Sequence, residues 1–490
     1  MHGESRKDRR RFLTLAGALA TTGCATPTPN ILRLAGPGEG QRYFGPAGSG
    51  IPGLVEDVAR RAFRYFWETT DAATGLAPDR YPTSSPCSIA AIGFALTAYA
   101  IGVTRGYVSR VEARRRTLTT LRFLRDLPQG PQPTGTGGYK GFYYHFLEMS
   151  TGLRAGDCEL STVDTALLLC GVLHAQEFFD SDDPGEVEIR GIADALAARV
   201  DWRWAQTRPP SIALGWLPEK GFLPYDWRGY NEAVVLYLLA MGAKDNPVDP
   251  SAWTAWTGTY RRAWATSNGQ QALLFPSLFG HQYSAVWVDF RGIRDAFMRK
   301  QNTDYIENSR RATYAQRSYA ILNPRRWRGY DADVWGLTAC DGPADMLARY
   351  LGEQRRFRSY WARGVGGTDA FDDGTIAPTA AASSIAFAPE IALPAIEAMV
   401  ARYGRHIYST YGFLDAFNPS FRYEVALKHG RVIPDFGWVA SDYLGIDQGP
   451  ILAMIANYTD GTVWQAMQGC EQIRRGLKRA GFSGGWLEDG

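Results

Sequence analysis

Acidic side chains set among aromatics, in segments without helical periodicity, recur along this 490-residue sequence and define the chemistry open to it. Asp226-Trp227-Arg228-Gly229-Tyr230-Asn231-Glu232 leads into the apolar run 233–239, and Tyr411-Gly412-Phe413-Leu414-Asp415-Ala416-Phe417-Asn418 places an acid and an amide between aromatics. A carboxyl desolvated by rings has a raised pKa and suits a general acid, whereas an ionised partner activates water. Hydrolysis of a glycosidic bond takes such a pair. Structural roles compete at both positions. Glu232 also suits the first turn of a helix, where the dipole favours an acid, and Asp415 also suits an Asx-turn.

Three further segments carry candidate ligands for a polar substrate. In Gly445-Ile446-Asp447-Gln448-Gly449-Pro450, Asp447 is either a sugar-binding group or a helix cap. In Asp157-Cys158-Glu159-Leu160-Ser161-Thr162-Val163-Asp164, Glu159 falls near a helix start and Asp164 within its first turns, with Ser161 a candidate N-cap. Residues 279–291 and 307–311 are dense in paired hydrogen-bonding groups. His281, Gln282, Asn308 and Arg310 are candidate cleft-wall residues there, while Asp289–Arg291 and Glu307–Arg311 are candidate bracing ion pairs. Trp227, Tyr230, Asn231 and Tyr411 join the binding set, because sugar rings need both aromatic faces and polar partners. No nucleophile elbow, P-loop, H-E-x-x-H or zinc-spaced cluster appears, and six scattered histidines give no metal pattern, so neither metal nor cofactor is expected.

The elements that would position these groups read as helices of two kinds. Residues 55–68 carry an amphipathic stripe (Val55, Val58, Ala62, Phe63, Phe66) opposite Arg60, Arg61 and Arg64, whereas 88–101 is apolar almost all round. The alternation continues with charged 109–126, apolar 162–179, charged 186–202 and apolar 230–241. Later candidates are 253–265, 307–322, 344–354, 391–403, 448–457 and 463–480. About twelve helices alternating outer and inner predict an all-α (α/α)6 toroid, one domain over 51–490. Residues 139–154 instead predict a β-hairpin beside the cleft.

Five Lys/Arg and two Asp/Glu fall within residues 1–23, so the remainder carries 48 of each sign, and a nucleic-acid partner is not expected. That first stretch joins a basic run (Arg6, Lys7, Arg9, Arg10, Arg11) to a short apolar segment and Thr21-Thr22-Gly23-Cys24, as an export signal does. It resembles a twin-arginine signal ending in a lipoprotein box, although Thr21 stands where that box usually has Leu. The resemblance implies lipidation at Cys24, a Pro/Gly-rich tether over 24–50 and a periplasmic or membrane-anchored location. The soluble periplasmic alternative stays open. The other five cysteines, odd in number and without C-x-x-C spacing, predict buried free thiols.

Seven segments in order resemble the glycoamylase-like family: Ser88-Ile89-Ala90-Ala91-Ile92-Gly93-Phe94; Gly138-Tyr139-Lys140-Gly141-Phe142; Glu159-Leu160-Ser161-Thr162 with Asp164-Thr165-Ala166-Leu167; Gly229-Tyr230-Asn231-Glu232; Glu307-Asn308-Ser309-Arg310; Trp335-Gly336-Leu337-Thr338-Ala339; and Ile446-Asp447-Gln448-Gly449-Pro450. That family includes the bacterial endo-β-1,2-glucanases of glycoside hydrolase family 144. The resemblance, over about residues 52–482, implies a toroid without metal cofactor acting on β-1,2-glucan, either sophoro-oligosaccharides or periplasmic glucans. It further implies inversion with a proton route through a substrate hydroxyl, Glu232 as the acid and Asp415 as the base. The expected partner is a glucan, with the protein a monomer. An α-glucan hydrolase of the same fold and a non-catalytic glycan-binding lipoprotein are the alternatives.

Overall fold

Ser88, Ser109 and Ser161 each end an extended approach and cap a helix. Their hydroxyls accept the N–H groups of Ala91, Glu112 and Asp164, and Glu112 returns the bond to complete a capping box. These caps belong to a computed structural model that describes residues 53–367 and 370–488. The expected signal (1–23), the tether (24–50) and the lipidation site Cys24 lie outside the described residues.

The chain is helix-rich, 45% helical, with nine small sheets of two or three strands among the described residues. Burial separates the helices into the two kinds that the periodicity predicts. Ile89–Thr104 is buried along all but its last two residues, and Thr162–Phe178, Val234–Gly242 and Gly445–Thr459 are likewise enclosed. Gly53–Thr69, Arg110–Asp126, Pro184–Arg199 and Pro389–Ile407 bury one face and wet the other. Ile89–Thr104 packs on Thr162–Phe178 and on Gly445–Thr459, while Gly53–Thr69 covers Gly445–Thr459 and Pro184–Arg199 covers Thr162–Phe178. At the first of these seams two glycines meet. A Cβ on Gly93 would lie 2.3 Å from the Leu167 carbonyl oxygen, and one on Gly171 2.1 Å from that of Gly93, so the two backbones touch directly.

Two-residue strands feed three of the enclosed helices. Cys87–Ser88 pairs with Phe146–Leu147, Leu160–Ser161 with Gly215–Leu217, and Tyr443–Leu444 with Arg80–Tyr81. Each pairing fixes where its helix begins.

Several predicted boundaries are corrected. Residues 344–354 are not helical: Met346–Tyr350 and Glu353–Phe357 form a hairpin. Its two-residue connection, Leu351-Gly352, has φ of 49° and 86°, the left-handed pair that closes a tight hairpin. The run 253–265 breaks at Gly258 into Ser251–Thr257 and Tyr260–Ala263. The chain then enters a second hairpin, Trp264–Ser267 with Gln270–Leu273, turned at Asn268-Gly269. The run 463–480 divides at Cys470. Of the hairpin predicted over 139–154, only Gly138–Tyr139 with Phe142–Tyr143 pairs locally, because Phe146–Leu147 leaves to join Cys87–Ser88. The cysteines 87, 158, 170, 340 and 470 are buried free thiols.

Candidate active site

Three enclosed helices present acids at their N-terminal ends. Asp164 is the third residue of Thr162–Phe178, Asp447 the third of Gly445–Thr459, and Glu232 lies in the turn just before Val234–Gly242. Glu232 is buried, and Ser284 Oγ donates to its backbone carbonyl at 2.7 Å, tying that turn to the helix Phe279–Trp287. Burial, with the charge of Asp164 adding, raises its carboxyl to about 8, so it is protonated near neutral pH. Its Oε2 has no partner in the protein.

Beside it, His145 Nδ1 lies 3.0 Å from Glu159 Oε1 and its Nε2 3.7 Å from Asp164 Oδ2, with its ring stacked on Phe146 at 4.1 Å. Burial alone would lower its pKa, but Asp164 and Glu159 overcome this and raise it to about 10, making His145 an imidazolium. Ser161 Oγ donates to Asp164, its own capping partner, so that carboxylate is held from two sides.

A second group of acids surrounds Asp415, in the turn between Gly412–Phe413 and Phe417–Asn418. The Asp341 N–H donates to Asp415 Oδ2 at 2.7 Å, and the Asp415 N–H donates to the Asp442 carbonyl at 3.0 Å. An Asx-turn is therefore not its role. Burial and then the Asp341 charge raise the Asp415 carboxyl to about 7. Arg80 serves the surrounding acids, with Nη1 donating to Asp341 Oδ2 at 2.8 Å and further ion pairs to Asp79 at 3.2 Å and Asp442 at 3.8 Å. Behind Asp341, the guanidinium of Arg363 forms a bidentate pair with Asp373, at 2.7 and 2.8 Å, and donates to the Cys340 carbonyl at 2.8 Å.

Tyr283 joins the two groups. It projects from Phe279–Trp287, donates to the Ile446 carbonyl at 3.1 Å, and lies within electrostatic reach of Asp447, Glu232 and Asp164. Tyr283, Tyr360 and His145 each keep a partly exposed edge, so the acids line a recess that solvent reaches. Oε2 of Glu159 and Glu232, Oδ1 of Asp341 and Asp415, and Oδ2 of Asp447 are buried without a donor. Buried polar atoms are seldom left unpaired, so these oxygens are open to hydrogen bonds from groups outside the protein. Among the described residues no group of three or more His, Cys, Asp or Glu is arranged to hold a metal ion.

Glu232, Asp415, Asp447, Glu159 and Asp164 are thus brought to one recess. The remaining candidates are engaged by their own neighbours. Trp227 is buried and its indole donates to Thr162 Oγ1 at 3.0 Å. Tyr230 stacks on Tyr305 at 5.8 Å, Asn231 accepts the Ala233 N–H at 3.0 Å to close its own turn, and Tyr411 packs edge-on against Tyr65, Tyr81 and Tyr443. His281, Gln282 and Asn308, expected at a cleft wall, are buried and bonded within the protein. His281 is buried with Nε2 at 3.1 Å from the Phe275 carbonyl, burial lowering its pKa to about 4, and the cavity beside it has room for about one water. Gln282 donates to the Ala380 carbonyl and Ser384 Oγ, and Asn308 Oδ1 accepts the Leu273 N–H. Arg310 pairs at 2.7 Å with Glu390, a half-exposed outer contact. The bracing pairs form as expected, Arg291–Asp289 at 2.8 Å and Arg311–Glu307 at 2.8 Å.

Arg80, Asp341, Tyr283 and Tyr360 were not singled out by the sequence. Asp79-Arg80-Tyr81 and Cys340-Asp341-Gly342 do carry the signal used elsewhere, an acid next to an aromatic or glycine outside a helical run.

With this geometry in view, a family model for glycoamylase, described as "Putative glucoamylase", matches residues 224–471, half of the chain. The chain belongs to the glycoamylase family. An exo β-1,2-glucooligosaccharide sophorohydrolase of Parabacteroides distasonis is 25% identical over 458 residues, covering 87% of this chain. The chain spans 57% of the length of that curated relative. The endo-β-1,2-glucanase of Chitinophaga pinensis, solved with sophorotriose and glucose, has a TM-score of 0.75 and 25% identity, covering 89% of this chain and 99% of that one. A protein of Bacteroides uniformis described in the same words as the family model has a TM-score of 0.74 and 29% identity, covering 89% of this chain and 98% of that one.

Proposed function

We propose that the protein is a glycoside hydrolase of (α/α)6 toroid form that cleaves β-1,2-linked glucan, with Glu232 as general acid and Asp415 as general base. The observation that carries this reading is the recess itself. Two buried carboxyls with raised pKa values belong to the acid groups that Tyr283 joins, and five carboxyl oxygens there lack donors. The toroid is supported by the alternation of enclosed and one-sided helices and by the likeness to the Chitinophaga enzyme across nearly its whole length. The linkage is supported by the names of two relatives, both β-1,2-glucan hydrolases.

In the proposed reaction the Glu232 carboxyl gives its proton to the glycosidic oxygen as the bond from that oxygen to the anomeric carbon breaks. Water attacks the same carbon from the opposite face, and its proton passes to Asp415, directly or through a substrate hydroxyl. His145, held between Glu159 and Asp164, limits the negative charge around Glu232. Burial keeps the proton on Glu232, and a cation beside it favours the proton's release.

The test is a product profile. Purified protein incubated with β-1,2-glucan should release sophoro-oligosaccharides or glucose, and Glu232→Gln should lower kcat by about 10²–10⁴-fold. Release from maltose-type oligomers but not from β-1,2-glucan would overturn the linkage. A Glu232→Gln enzyme within about tenfold of wild type would overturn the acid.

A further inference from the structure

Asp415 and Asp447 approach each other from segments that are separately pinned. Gln448, next to Asp447, donates its side-chain N–H to the Phe413 carbonyl at 2.9 Å, which locks the start of Gly445–Thr459 against the strand leading to Asp415. Tyr283 holds the Ile446 carbonyl on the other side, and the Gly445 N–H donates to the Asp79 carbonyl at 2.9 Å. The two side chains, 1% and 3% exposed, hydrogen-bond to each other. A hydrogen bond between carboxyls requires a proton, since two carboxylates offer only acceptors. The guanidinium of Arg80 is engaged by Asp341, Asp79 and Asp442, and that of Arg363 by Asp373.

We infer that Asp415 and Asp447 form an acid–carboxylate pair holding one proton between them, Asp447 being the proton-bearing partner that positions and tunes Asp415. The assignment within the pair follows from what faces each member. Asp415 receives the Asp341 N–H and lies near Arg80, both of which favour its ionised form, with Tyr360, Cys340 and Arg363 around it. Asp447 faces the acids Asp79 and Asp341 and the hydroxyls of Tyr65 and Tyr283, and its Oδ2 has no donor. Burial and these like charges hold Asp447 well above the usual carboxylate range.

The pair changes how the base works. With Asp447 protonated, Asp415 is the member of the pair left to accept the proton of water. After turnover both carboxyls carry protons, and one must leave to solvent before the next cycle. The acid limb of the pH–rate profile then belongs to the pair and not to a lone aspartate.

This inference rests on Asp415 being the base, and the experiment separates the two. Asp415→Asn should lower kcat by about 10²-fold or more; if it does not, the base assignment and the inference both fall. Asp447→Asn keeps the shape and still donates an N–H to Asp415, but removes the titrating partner. Because a neutral donor then replaces a protonated one, the acid limb of kcat/KM should stay within about half a pH unit of wild type, whereas Asp447→Leu, which donates nothing, should move it up by about one pH unit or more. If Asp415→Asn is inactive but Asp447→Asn moves the acid limb down by about one pH unit or more, Asp447 is ionised in the wild type, and the pair is refuted while the base survives. A second measurement leaves the pair itself unaltered. Infrared spectra of Glu232→Gln near neutral pH should show a buried, protonated carboxyl that ionises well above the range of ordinary aspartates, and its absence would equally overturn the pair.

Discussion

Replacing Arg363 with methionine should be among the most damaging single changes available, and its cost can be worked from the contacts. Arg363 and Asp373 have fully buried side chains. Without the guanidinium, Asp373 keeps only the N–H groups of Arg358 at 3.1 Å and Thr375 at 3.2 Å. Breaking a buried pair by removing one partner costs about 3–5 kcal/mol, a large part of the 5–15 kcal/mol that typically separates folded from unfolded protein. The Cys340 and Arg358 carbonyls, which accept from Arg363 at 2.8 and 2.9 Å, lose their donor as well, at about 1–3 kcal/mol for each group left unpaired. Urea unfolding followed by circular dichroism should show the loss, and Arg363→Met/Asp373→Leu should be more stable than Arg363→Met alone, because no charge is then stranded. Activity should fall with stability, since Cys340 precedes the residue whose N–H holds Asp415. A single-variant loss below about 1 kcal/mol, or a double variant less stable than the single, would refute the reasoning.

Two further outcomes follow from the buried titratable groups. The acid Glu232 must be protonated to act, so kcat/KM should decline above about pH 8, and Glu232→Asp, less enclosed, should bring that decline to lower pH; an unchanged alkaline limb would dissociate it from Glu232. His174 is fully buried with neither ring nitrogen paired, and burial lowers its pKa to about 4. The unfolded chain binds that proton near pH 6.5, so stability is lost as pH falls from about 6.5 towards 4, by roughly 3 kcal/mol in all. His174→Leu should flatten that part of the stability–pH curve, and a curve unaltered by the substitution would show that His174 does not titrate on unfolding.

What the sequence disclosed depended on how local the cause was. Ser161 stands immediately before an apolar run, so cap and helix were legible together there, whereas the helices after Ser88 and Ser109 were legible without their caps. The hairpin 346–357 was misread because Met346, Leu347, Tyr350 and Leu351 satisfy helical spacing as well as any strand, and the deciding feature was the left-handed Leu351-Gly352 turn. Asn268-Gly269 was a plain hairpin signal lying just past a tryptophan-rich run that looked helical. In the recess, Glu232, Asp415 and Asp447 were legible because each stands in a short non-periodic segment beside aromatics or glycine. Arg80 and Asp341 were not, because they meet across 261 residues through strands of two or three residues that leave no periodic trace. His281, Gln282 and Asn308 have the chemistry of sugar ligands. The packing around them shows backbone groups taking His281 Nε2, Gln282 Nε2 and Asn308 Oδ1, while His281 Nδ1 and Asn308 Nδ2 stay without a partner in the protein.

The contact between Gly93 and Gly171 sets a limit on how this protein can adapt. Side chains at an ordinary helix seam can change rotamer and let the helices slide, but backbone against backbone leaves nothing to rearrange. Both helices open at the recess, one capped by Ser88 and the other carrying Asp164, so the floor of the recess is fixed before any ligand arrives. Accommodation of longer, shorter or differently branched ligands must then come from the connecting segments above it. Divergence within such a fold should accumulate as loop length and loop sequence around an unvarying floor.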